Sequence, residues 1–126
     1  MRILISALAG VVVATAVAAY AADDVMSNTY GNTITTKDMK TGSVTTLMFN
    51  QDGSYTGVAP GPDGKPVSYG GKWVLNGGNI CLTPTGNPSS APAANCSPVM
   101  KHAVGETWTV TTDKGMTYQV SLTAGH

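Results

Sequence analysis

Residues 67–83 read Val67-Ser68-Tyr69-Gly70-Gly71-Lys72-Trp73-Val74-Leu75-Asn76-Gly77-Gly78-Asn79-Ile80-Cys81-Leu82-Thr83, and this stretch decides the fold. Side chains alternate on both sides of Asn76-Gly77-Gly78. A period of two sends successive residues to opposite faces of a strand. Trp73 and Leu75 share a face before the turn, and Ile80 and Leu82 share one after it. Glycine tolerates the positive φ that tight hairpins demand, so the stretch predicts two antiparallel strands, at 67–75 and 79–83.

Working outward, the same pattern recurs. Strands are predicted at 29–36 and 43–50, joined by Lys37-Asp38-Met39-Lys40-Thr41-Gly42, and Asp52-Gly53 turns the second into a third at 54–59. Pro60-Gly61-Pro62-Asp63-Gly64-Lys65-Pro66 is too heavily punctuated for regular structure. A short strand at 97–101 precedes a last hairpin, 106–112 and 116–123, around Asp113-Lys114-Gly115. Shared faces put Leu47, Phe49, Trp73, Leu75, Ile80, Leu82, Trp108, Val110, Tyr118, Val120 and Leu122 in the core, with Met116 opening the last row. Facing positions are mostly Thr, Ser, Asn and Gln, as in a sheet wet on one side. Eight short sequential strands close most simply as an up-and-down antiparallel barrel, which removes exposed edges; a two-sheet sandwich is the alternative.

The chain begins with Arg2, an apolar run from Ile3 to Ala19, and Ala19-Tyr20-Ala21 ahead of Asp23-Asp24. A basic residue, an apolar stretch and small residues at alternate positions read as a secretory signal peptide over residues 1–21, the alternative being a retained anchor. The expected mature product is one domain, residues 22–126, periplasmic or secreted and not inserted in a membrane. About 105 residues suffice for a single small core. Residues 22–28 are expected to form a flexible arm, with Asp23, Asp24, Val25 and Met26 as candidate binding residues.

Cys81 and Cys96 are the only cysteines. In an oxidising compartment an even pair reads as a disulfide, here closing a proline-rich loop over 84–98. Free thiols or an intermolecular link are the alternatives. The bridge is worth about 3 kcal/mol in the chain-entropy model for a loop of about 15 residues.

Composition excludes whole classes of function. Without Arg2 six lysines face seven carboxylates, so no basic stripe exists to hold nucleic acid or anionic lipid. Asp38, Asp52, Asp63 and Asp113 sit in predicted turns, where Asp bonds local backbone; Glu106 alone enters a predicted strand. No nucleophile elbow, phosphate loop or zinc pattern is present. A copper site from His102, Met100 and another soft ligand is the one metal reading to weigh. A lone loop histidine is more often solvated, so no metal and no cofactor are expected.

Gly71-Lys72-Trp73-Val74-Leu75 followed by Cys81-Leu82 resembles the Gly-x-Trp signature of the calycins, the lipocalin-like barrels. The same residues look like the small periplasmic metalloprotease-inhibitor barrels of Gram-negative bacteria, which are exported, eight-stranded and single-disulfide. There the Trp–Cys hairpin comes early, whereas here three strands precede it. The resemblance implies a lipocalin-like barrel and, for the inhibitors, action through an N-terminal arm, here residues 23–29. The expectation is a monomeric, non-enzymatic binding or envelope-associated protein, with an unknown protein or a small ligand as partner. A protease inhibitor and a lipocalin-like small-ligand binder are the specific alternatives.

Overall fold

The structure, a computed structural model, describes residues 25–86 and 93–126. The signal peptide, Asp23, Asp24 and residues 87–92 of the bridged loop lie outside the described residues. Eight strands follow one another: β1 Thr33–Asp38, β2 Val44–Phe49, β3 Ser54–Pro60, β4 Pro66–Asn76, β5 Asn79–Pro84, β6 Asn95–Pro98, β7 Thr107–Thr111 and β8 Thr117–Thr123. All pair antiparallel in one sheet of order β6-β5-β4-β3-β2-β1-β8-β7. The result is a nearly closed up-and-down barrel, as the alternation of the chain predicts, and not a sandwich.

Local chemistry makes the turns. Gly53, at φ 91°, completes the β2–β3 turn, where Asp52 Oδ1 accepts the Ser54 amide at 2.9 Å. Gly77, at φ 62°, sits in the two-residue turn between the paired Asn76 and Asn79. Closure is non-local: β1 lies on β8 with Ile34 opposite Leu122 and Asp38 opposite Tyr118. The seam between β6 and β7 carries no ladder. It is held just past the end of β7, where the Asp113 amide donates to the Cys96 carbonyl at 2.9 Å and the Cys96 amide donates to Asp113 Oδ1 at 3.0 Å. Asp113 therefore latches the seam, where the sequence predicts only a turn aspartate.

Cys81 and Cys96 stand opposite each other on β5 and β6 and are joined by a disulfide. Their neighbours Ile80, Leu82, Asn95 and Ser97 line the interior, so the bond lies on the outer side of the wall.

Leu47, Phe49, Val120 and Leu122 are buried, together with Ile34, Tyr55, Ala59, Tyr69 and Met26, none of which the alternation reading nominates. Trp73, Leu75, Ile80, Leu82, Trp108, Val110 and Tyr118 are half-buried against them. Met116 is corrected: it belongs to the β7–β8 turn and is exposed. Glu106 is also corrected, since it precedes β7. The first strand starts at Thr33 because the preceding residues form a turn, with the Thr29 amide bonded to the Met26 carbonyl at 2.9 Å. Among the described residues no helix is long and apolar enough to cross a membrane.

Candidate functional site

The candidate site is the barrel interior. Its lower end, where the chain enters, is closed by a helical turn at Val25 and Met26. Met26 is only 2% exposed and packs with Phe49 and Leu122 in the core. The Asn28 side-chain amide donates to the His102 carbonyl at 2.9 Å and ties this turn to the β6–β7 loop. Residues 25–28, the described part of the segment expected to be an arm, make these contacts with the barrel. An unbranched thioether fills an irregular apolar opening better than it tolerates water.

Beside this floor, Trp73 meets Phe49 edge-on at 6.2 Å, meets Tyr30 at 6.2 Å, and donates its indole N–H to the Asn50 carbonyl at 2.9 Å. This tryptophan seals the lower rim and does not line the cavity. The His102 ring stacks on Trp108 at 3.5 Å, with the planes 6° apart. Glu106 holds it there, pairing with His102 Nδ1 at 2.9 Å and accepting the Ala103 amide at 2.8 Å. The Ala103 bond, then His102, draws the Glu106 carboxyl below the usual carboxylate range. His102 is thus a packed rim residue and not a free loop histidine. Among the described residues no group of three or more His, Cys, Asp or Glu is placed to hold a metal.

Within the wall, β3 and β4 carry a reciprocal arrangement. Tyr55 stands directly opposite Gly71, and Gly57 directly opposite Tyr69. Each ring lies over the facing glycine, so a Cβ at either glycine would clash with the hydroxyl end of a phenol ring. The two rings meet edge to face at 6.2 Å, and Phe49 adds a third at 5.7 Å from Tyr55.

These rings do not fill the barrel. A cavity of about 140 Å³ remains, bordered below by Met26, Phe49 and Trp108 and along the walls by Leu47, Tyr55, Tyr69, Ile80, Leu82, Asn95, Ser97, Val110, Tyr118, Val120 and Leu122. Native interiors leave few voids larger than one water, so this space needs an explanation. Tyr55 is 3% exposed and Tyr69 7% exposed. Neither phenol has a hydrogen-bond partner among the described residues. No buried side-chain oxygen or nitrogen there is both sealed off and unpaired, so both hydroxyls are within reach of water, and both residues line the cavity. Burial pushes the Tyr69 phenol up to about 12, helped by Tyr55 and Tyr118. Burial raises Tyr55, and burial with the nearby Asp38 carboxylate raises Tyr118. All three rings are neutral phenols at ordinary pH.

Comparisons with family models, with curated proteins and with solved structures find no match to this chain. The interior geometry therefore carries the functional reading.

Of the residues the sequence nominates, Cys81 and Cys96 serve the wall, and Val25 and Met26 the floor. Tyr55 and Tyr69 are the residues that sequence reasoning misses. Their signal is present as Tyr55-Thr56-Gly57 and Tyr69-Gly70-Gly71: tyrosine and glycine on one face of adjacent antiparallel strands, spaced so that each ring meets the other's glycine.

Proposed function

We propose that the chain is an exported, non-enzymatic binding protein, lipocalin-like in architecture, that takes a small molecule inside its barrel. The supporting observation is the 140 Å³ cavity, lined in part by two buried tyrosines whose hydroxyls have no hydrogen-bond partner among the described residues. An occupant that accepts a hydrogen bond from these hydroxyls gains a contact that no protein group supplies, worth about 0.5–1.5 kcal/mol net. Export is supported by the apolar leader and by the Cys81–Cys96 bond, which persists where thiols are oxidised. The arm-borne inhibitor reading draws no support from Val25 and Met26, both held in the floor.

The test is an NMR titration of the full-length protein with benzene, which fits an apolar cavity of about 150 Å³. Saturable shifts are expected at Leu47, Val120 and Leu122, and none at the outward Val44 and Val74. Val110→Phe, which fills the space, should abolish them. Shifts spread equally over the outer wall, or none at all, would remove the interior as a binding site.

A further inference from the structure

We infer that the occupant is a neutral, single-ring molecule bearing a hydrogen-bond acceptor such as a carbonyl, received by the hydroxyls of Tyr55 and Tyr69. This rests on the reading of the barrel interior as the binding site, and adds the chemical class of what binds there.

Three observations carry it. The first is size. At about 140 Å³ the cavity is below half the 300 Å³ that marks the lower end of ordinary ligand pockets, and close to the space that accepts one benzene. A retinoid or a fatty acid exceeds this volume and could place only part of its length inside.

The second is charge. Among the described residues that line the cavity there is no lysine, arginine, aspartate or glutamate. The one titratable base on the lining, His102, is stacked on Trp108 and engaged with Glu106 at the lower rim. A carboxylate or ammonium ligand would surrender its hydration without a counter-charge, which is prohibitive in an apolar site. The occupant is therefore neutral.

The third is polarity. Tyr55 and Tyr69 are more than nine-tenths buried, and each presents a hydroxyl with no partner. Both phenols hold their protons, since burial raises each, so both are donors. Tyr118 is less available, its hydroxyl already directed at the Met116 sulfur at 3.7 Å. Two donors above an apolar floor of Met26, Phe49 and Leu122 match a molecule with one polar edge and one apolar edge. A ring ketone is the simplest example.

The experiment titrates the full-length protein with three six-membered-ring probes of similar size: cyclohexanone, cyclohexane and cyclohexanecarboxylate. Shifts at Leu47, Val120 and Leu122 give the affinities, and the same is done for Tyr55→Phe and Tyr69→Phe. The ketone is expected to bind roughly three- to tenfold more tightly than the hydrocarbon, the discrimination one net hydrogen bond supplies. The carboxylate should not bind measurably. Each Phe variant should shrink the ketone's advantage while leaving cyclohexane unchanged. Equal binding of ketone and hydrocarbon, or preference for the carboxylate, overturns this inference and leaves the interior site standing. If none of the three probes binds, both readings fall. The wild-type comparison decides the matter even if a variant folds poorly.

Discussion

Asp113 and Cys96 bond each other twice across the one gap in the wall, amide to carbonyl at 2.9 Å and amide to carboxylate at 3.0 Å. Cys96 is thereby held from two sides, by Asp113 beyond the end of β7 and by Cys81 on β5. A short strand of four residues with one paired neighbour would otherwise be the least secured part of the barrel.

Asp113→Ala should accordingly cost about 0.5–1.5 kcal/mol, the net worth of one hydrogen bond near the surface. More diagnostic is where the loss appears. Amide exchange at Cys96 should accelerate, while exchange in β3 and β4 should not change. Uniform acceleration through the whole sheet would show that the seam has no stability of its own to lose.

The two glycines at positions 70 and 71 should respond in opposite senses. Gly71→Ala drives a methyl into the Tyr55 ring and should destabilise by roughly 1–3 kcal/mol, the usual range for overpacking. At Gly70 an added Cβ meets nothing nearer than Thr85 Oγ1 at 3.5 Å, and its φ is not positive. Gly70→Ala should be neutral or stabilise by up to about 1 kcal/mol through the unfolded chain. Urea unfolding of both variants checks this, and equal effects would contradict the stacked arrangement.

Met26→Ala should lower stability by about 2–5 kcal/mol, because it removes a buried side chain at 2% exposure from the floor. A residue on a free arm would cost nothing when truncated. Thermal unfolding therefore distinguishes a plug from an arm without reference to any ligand.

Alkaline pH should weaken the fold through Tyr69. Below its ordinary value of 10.0 the phenol is neutral in both folded and unfolded chains, and its contribution is fully present. As pH rises further the unfolded chain releases this proton, while the folded chain keeps it until about 12, so stability is lost across that interval. Unfolding midpoints measured over this range should fall less steeply in Tyr69→Phe, and phenolate absorbance of the native protein should rise late. Full phenolate formation near pH 10 without unfolding would place Tyr69 in water.

The sequence by itself determined the number of strands, their order and most of the inward faces. Those properties follow from the period of two and from turn residues, and both act over a few neighbours. Asp52-Gly53, Asn76-Gly77-Gly78 and Asp113-Lys114-Gly115 all mark real hairpins for this reason. The tertiary structure alone decided three things: that Ile34 pairs with Leu122 and closes the wall, that Met26 folds back as the floor, and that Tyr55 and Tyr69 lie over each other's glycines beside an unfilled space. Each depends on contacts between residues on different strands. Local spacing can put a tyrosine and a glycine on one face, but it does not choose their partners, because strand register and the volume enclosed by a barrel exist only once every strand has found its neighbour.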